Sequence, residues 1–331
     1  MPLEMLTLRR GRITAVVERA EGLARLEVDG VPCVAYPRLT GPVALGDEVI
    51  VNTQARELEL GTGGFDVLYV NLTRGLDLPA ESDAHVMKLP YTPAQSARRH
   101  AEEGRTLPDT LAGLPVLCCS LHSQVVPVCA GIGPGKRVAY VQLAGGALPV
   151  SLSDALRALR EGGYVETAIA VGACLDGDFE CVSAASALLW SAAEGFDVVV
   201  CAIGPGIVGT GSTFGHGGLA AADAANAAQA LHGTSILAVR ASEGDPRERH
   251  QGVSHHTWAV LELCLGDVIA PWPVGYESPP WLEPRVEVDV TGWEEACAGL
   301  PLAHMGRGPQ EDPLFFATAF AAGRVAAGLI R

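Results

Sequence analysis

The chain has 331 residues, of which 48% are hydrophobic and 18% charged, so it can bury a sizeable core and is not compositionally disordered. Its formal net charge of -15 argues against nucleic-acid and anionic-membrane binding, since both require a basic footprint. Nine cysteines without a CxxC pair argue against a zinc knuckle and fit buried small hydrophobes in a reducing compartment.

Met1–Arg10 lacks the apolar stretch of a signal peptide, so the expected location is cytoplasmic. Residues 1–78 then read as a small all-β domain. Thr7–Glu18, Leu23–Val28, Cys33–Tyr36, Glu48–Asn52 and Phe65–Leu72 are short runs rich in valine, leucine and isoleucine. Turn pairs at Asp29-Gly30, Gly41-Pro42 and Gly46-Asp47 separate them, the rhythm of a small barrel or sandwich. Gly61-Thr-Gly-Gly64 reads as a glycine turn between strands, with a ligand loop as the sharper alternative.

Residues 79–331 read as an α/β domain. Thr92-Pro93 looks like a helix start, with a capping residue and proline at the first helical position. Strands are expected at Pro115–Cys119, Arg137–Leu143, Val165–Val171, Asp197–Ile203 and Ser235–Val239. Helices are expected at Ser151–Arg160, Phe179–Glu194 and Leu219–Leu231. Near-continuous apolar strands between helices imply a mostly parallel sheet with helices on both faces. Ala270–Pro284 reads as a loop or edge segment, and Asp312-Pro313 caps a last helix. The apolar Leu314–Ile330 is too short, and carries Arg324, so it reads as a buried helix rather than a membrane span.

In an open α/β sheet, ligands sit beyond the carboxyl ends of strands. Two segments leave such ends. The first, Gly204-Pro-Gly-Ile-Val-Gly-Thr-Gly-Ser-Thr-Phe-Gly-His-Gly-Gly218, holds seven glycines in fifteen residues. Glycine lets backbone N–H groups approach a ligand, and Thr210, Ser212 and Thr213 add hydroxyls suited to phosphate or carboxylate oxygens. Gly204-x-Gly206-x-x-Gly209 matches the dinucleotide fingerprint only superficially, because about ten more loop residues precede the helix. Gly131-Ile-Gly-Pro-Gly-Lys136 has the wrong spacing for a phosphate-binding P-loop and reads as a turn.

The second segment runs from Arg240 to Thr257 and contains Asp245, Arg247, Arg249, His250, His255 and His256. If sequential strands are neighbours, it lies beside the glycine loop. Arginines can fork onto a phosphate or carboxylate while a histidine moves protons. Alternatively, Asp245, His250 and His255 or His256, joined by His122 or His216, offer ligands to a metal, though without an i, i+4 histidine pair. A solvated loop with internal salt bridges is the bland alternative. A Cys–His pair built on Cys118 or Cys119 with His122 is conceivable, but buried structural cysteine is the commoner case.

Four stretches in order carry a resemblance: Leu60-Gly-Thr-Gly-Gly64, Gly204-Pro-Gly-Ile-Val-Gly-Thr-Gly211, Asp245-Pro-Arg-Glu-Arg-His-Gln-Gly-Val-Ser-His-His-Thr257, and Met305-Gly-Arg-Gly-Pro-Gln-Glu-Asp-Pro313 followed by Phe315-Phe316. Together they resemble the uncharacterised bacterial family named domain of unknown function 3866, over nearly the whole chain. The resemblance implies one recurrent architecture and supplies no catalytic residues. The expected ligand is a small anionic molecule, held by Gly204, Gly206, Gly209, Thr210, Gly211, Ser212, His216, Arg240, Arg247 and Arg249. Proton transfer falls to His250, His255, His256 or His122, while a metal-dependent hydrolase and a non-catalytic binding or regulatory protein stand as the alternatives. The sequence names no cofactor, does not decide whether the protein is an enzyme, and leaves homo-oligomerisation open.

Overall fold

A computed structural model of the chain describes residues 6–60, 64–75, 78, 81–282 and 285–330. Most of the Gly61–Gly64 turn lies outside the described residues. The chain divides into two units, Met1–Arg99 and His100–Arg331. The sequence reading put the division at 78/79.

In the first unit, β1 (Leu8–Ala20), β2 (Leu23–Val28), β3 (Val31–Ala35), β4 (Glu48–Asn52) and β5 (Asp66–Asn71) close into a barrel in the order β1-β2-β3-β5-β4. Only β3 and β5 pair in parallel. Ile13, Leu26, Val28, Cys33, Val49, Val51 and Leu68 fill the interior, and closure leaves no strand edge to pair with another chain. The helix expected at Thr92-Pro93 is instead the turn of a short hairpin, β6 (Val86–Lys88) and β7 (Ser96–Arg98). The Thr92 hydroxyl donates to the Leu89 carbonyl and accepts from Ala94 N–H, closing a turn rather than capping a helix.

The second unit is built on six parallel strands: β8 (Pro115–Cys119), β9 (Val138–Leu143), β10 (Thr167–Val171), β11 (Phe179–Cys181), β12 (Val198–Ile203) and β13 (Thr234–Ala238), in the order β11-β10-β9-β12-β8-β13. Its longer helices are α1 (Val125–Ile132), α2 (Asp154–Glu161), α3 (Ala184–Ala193), α4 (Ala220–Ala230), α5 (His255–Leu263) and α6 (Pro313–Leu329). The helix expected over Phe179–Glu194 starts only at Ala184, where the Ser183 hydroxyl accepts from Ser186 N–H; the residues before it add edge strand β11.

Residues of α3, α4 and α5 share one core cluster with one face of the sheet, and residues of α1, α2 and α6 share another with the opposite face. This burial explains why the strands read as unbroken apolar runs. Cys118 and Cys119 point to opposite clusters, as adjacent strand residues must. Ala270–Pro273 pairs with Arg285–Val288 and continues from the β13 edge through an Ile236–Ile269 bridge. Among the described residues, no helix is long and apolar enough to cross a membrane.

Candidate functional site

Strands β8 and β12 are hydrogen-bonded neighbours, but the chain leaves β8 for α1 on one face and leaves β12 for α4 on the other. Their carboxyl ends therefore diverge, which opens a crevice at the switch point of an α/β sheet. The glycine loop follows β12, and the Arg240 segment follows β13, on the far side of β8. The two segments are not on adjacent strands as the sequence suggested, yet they meet over the end of β8.

They enclose a cavity of about 160 Å³. Its walls carry three arginines, Arg240, Arg247 and Arg249, and four histidines, His216, His250, His256 and His304. Leu121, Ile207, Val208, Gly209, Gly211, Ser212 and Met305 complete the lining, and no carboxylate is among these residues.

The glycine loop is a small hairpin. Thr210 N–H donates to Gly215 C=O (2.8 Å) and Gly217 N–H to Val208 C=O (2.8 Å), so Gly209 faces His216. Those N–H groups are committed within the hairpin, and Thr210 and Ser212 hydroxyls bond each other at 2.9 Å. Of the loop residues expected to hold an anion, Gly209, Gly211 and Ser212 are on the wall, and Gly204, Gly206 and Thr210 are off it. Gly204 serves packing instead: a Cβ there would collide with the Ala147 carbonyl, and one on Gly217 with the Gly145 carbonyl. The glycines anchor the hairpin against the residue 144–148 loop and so fix where His216 points.

The histidines are held by the entry to α5. Ser254 caps that helix, accepting from His256 N–H, which places His255 and His256 in its first turn, at the positive end of its dipole. His216 stacks on His256 with ring centroids 3.7 Å apart, and His255 lies 4.4 Å from His256 and 4.8 Å from His250.

Partners decide the tautomers. The Arg240 guanidinium can only donate, so at 2.6 Å it fixes His256 Nδ1 as acceptor and puts that ring's proton on Nε2. His255 Nδ1 lies 3.2 Å from the Arg249 carbonyl, which can only accept, so Nδ1 bears the proton and Nε2 keeps a lone pair. His250 donates from Nδ1 to the Ser254 hydroxyl (2.7 Å) and accepts weakly at Nε2 from Arg249 (3.4 Å).

Burial, reinforced by the neighbouring guanidiniums, keeps these rings neutral. His216 falls to about 4 and His250 to about 3, while His255 and His256 are also lowered. His304 falls to about 3 through burial, and then Arg240 and Arg307. It stacks on Phe315 at 3.8 Å and meets the Ser123 hydroxyl through Nδ1.

Several buried polar atoms at this cavity lack a hydrogen bond of normal geometry among the described residues: both ring nitrogens of His216, Nε of Arg240 and Nε2 of His304. Thr213's backbone lies near enough to favour charged His216, but burial outweighs it. Buried groups without partners are rare in folded proteins. Arg240 is itself almost wholly buried, and burial, then the charges of Arg247 and Arg307, lower its pKa to about 10 despite Asp245 at 4.0 Å.

Asp245 does not join the histidines. Its buried carboxylate takes a bidentate bond from Arg247 (2.9 and 2.7 Å) and a third contact from Arg307 (3.3 Å). The hydrogen bonds from Arg247 hold its pKa well below the usual carboxylate range, against the pull of burial. Arg307 bridges Asp245 (3.3 Å) to Asp312 (3.1 Å). Asp312 precedes α6, as expected, but its side chain turns away from that helix. It accepts from the Ser242 hydroxyl and the N–H groups of Glu243 and Gly244, tying the arginine segment to residues 304–312.

The ligand atoms of His250, His255 and His256 lie within 4.8 Å of one another, close enough to suggest a metal triad. The donor set disfavours a cation, however. His256 presents a proton rather than a lone pair on Nε2, Asp245 is occupied by arginines, and three guanidiniums share the cavity.

His122 stands apart. It donates from Nδ1 to the Ile203 carbonyl (3.1 Å) and meets the Ser153 hydroxyl at 2.6 Å through Nε2, pinning the end of β8 to that of β12. Burial lowers it to about 4. Cys118 and Cys119 are fully buried, and burial raises both thiols well above their usual range, so neither is an activated nucleophile. Sequence reasoning missed His304 and Ser242, which are single residues without periodicity or motif; only the spacing of the Met305–Pro313 stretch hinted at that wall.

The family described as Protein of unknown function (DUF3866) matches residues 32–323. The chain belongs to this family. The match spans the barrel from β3 onward and all of the cavity walls. No curated protein matches the chain.

Proposed function

We propose that the cavity at the β8/β12 switch point binds a small anionic metabolite bearing a phosphate or carboxylate group, and that the protein is an enzyme acting on it. One observation carries this reading: three arginines and four neutral histidines line a small cavity that holds no carboxylate, in a chain of net charge -15. Arg240 is nearly wholly buried, which works against its charge in the folded state, and an anion offsets that cost. Arg240 and Arg249 meet the anion, Arg247 is held in place by Asp245, and the His256 Nε2 proton is free to be donated. His255, off the cavity wall but half-buried beside His250 and His256, has Nδ1 oriented by a carbonyl, which leaves Nε2 to take up a proton.

A thermal-shift series with inorganic phosphate, sulfate, citrate and acetate tests the reading. A ligand that binds only the folded state at one hundred times its Kd stabilises it by about 2.7 kcal/mol. At least one of these anions raises Tm while sodium chloride at equal ionic strength does not; equal shifts from salt and anion overturn it. Zinc supplied in equilibrium dialysis tests the metal alternative, and one tightly held ion per chain favours it.

A further inference from the structure

The walls of the cavity are cationic, but its rim is apolar. Val208 and Met305, both in the lining, are 61% and 57% exposed. The hairpin that supplies Gly211 and Ser212 carries Phe214 at its tip, 48% exposed. Two residues beyond His256 in the helix that supplies it stands Trp258, 41% exposed. Phe214 and Trp258 rest against each other with ring centroids 5.9 Å apart and planes tilted by 39°.

Scattered surface hydrophobics need no explanation. These four differ because two belong to the cavity wall and the other two sit on the very elements that deliver Ser212 and His256 to it. Phe214 also contrasts with its own loop, which is otherwise glycine, serine and threonine from Gly209 to Gly215. Aromatic rings left open to water on the elements that line a charged cavity offer a face on which a planar or apolar group can stack. The cavity itself, at about 160 Å³, is below the usual range for a whole drug-sized ligand, so it takes the head of a molecule and leaves the body outside.

We infer that the ligand is amphipathic: an anionic head bound by Arg240, Arg249 and His256, joined to an aromatic or apolar body that lies on Phe214, Trp258, Val208 and Met305. Phosphate and carboxylate esters or acids of aromatic rings fit this description. The inference rests on the anion-binding reading above and adds the second half of the ligand.

Isothermal titration of the full chain with inorganic phosphate and with phenyl phosphate separates the two. Phenyl phosphate binds about tenfold or more tighter than phosphate. Phe214→Ala and, independently, Trp258→Phe narrow that advantage, Phe214→Ala the more, and leave phosphate affinity unchanged. Both positions are half-exposed, and far-ultraviolet circular dichroism with an unchanged phosphate titration verifies that each variant folds. Phosphate binding with no advantage for phenyl phosphate overturns the inference while sparing the anion site. An advantage untouched by either variant also overturns it, because the body then lies elsewhere. Failure of both ligands to bind removes the anion reading and this inference with it.

Discussion

Replacing Arg240 by methionine isolates the cost of keeping a guanidinium charged in a buried position. The guanidinium is nearly fully buried, one of its nitrogens has no hydrogen-bond partner among the described residues, and its pKa falls from 12.5 to about 10. A fall of that size corresponds to roughly 3 kcal/mol working against the charged form in the folded state. Methionine keeps the apolar stem and fills similar space, so packing losses are small. The variant forfeits the 2.6 Å bond to His256 and leaves that nitrogen unpaired, a loss of about 1–2 kcal/mol. The backbone bonds of Arg240 to Ser254 and Thr257 are untouched. The expected result is a ligand-free protein more stable by about 1–2 kcal/mol, or roughly 3–6 °C in Tm for a domain of this size. Urea unfolding with and without phosphate measures both halves of the claim. Arg240→Met gains stability in plain buffer and loses the extra stability that phosphate confers on the parent protein. A variant less stable than the parent by more than about 1 kcal/mol, or one still stabilised by phosphate, refutes the reasoning.

Asp245→Asn removes the carboxylate shared by Arg247 and Arg307 and leaves those guanidiniums facing each other, lowering stability in urea by about 2–4 kcal/mol, with the half-exposed Arg247 contributing least. Stability falls as pH drops from neutrality towards 4, because His122, His216, His250 and His304 remain neutral when folded but protonate near 6.5 when unfolded. The unfolded state binds more protons throughout that window, and His122 alone accounts for about 2 kcal/mol between pH 7 and 5, readable as a falling urea midpoint that His122→Gln flattens. Gly217→Ala drives a Cβ into the Gly145 carbonyl, costing about 1–3 kcal/mol in the same assay and weakening phosphate binding through the displaced hairpin, whereas Gly30→Ala, which strains a barrel turn at φ 77° but meets no neighbouring atom, leaves phosphate binding intact.

Periodicity made the architecture legible. The five barrel strands were readable because each alternates inward apolar residues between turn pairs, and the parallel strands because burial on both faces leaves unbroken apolar runs. Errors fell where local chemistry has two outcomes. Thr92-Pro93 satisfies the rules for a helix cap and for a turn, and only the Leu89 carbonyl decides between them. The histidines and arginines of the site were visible as a cluster in one segment, but their roles were not. Asp245 looked like a metal ligand until Arg307, sixty-two residues away, reached it. In the glycine loop, read from the sequence as an anion cradle, the N–H groups of Thr210, Gly215 and Gly217 close the loop's own hairpin, and Gly204 and Gly217 pack against Ala147 and Gly145. Pairings across such separations carry no local pattern. His304 had none at all, and nothing along the chain said that β8 would lie between the strands feeding the two halves of the cavity.

The most direct test of the account is titration of the intact protein with inorganic phosphate, monitored by calorimetry and by the nitrogen resonances of labelled histidine side chains. Binding at one site per chain, abolished by Arg240→Met and Arg249→Met, with His216, His255 and His256 shifting while His122 stays still, is the predicted result. Absence of binding at millimolar phosphate, or binding that survives both substitutions, contradicts the claim that this cavity is an anion site.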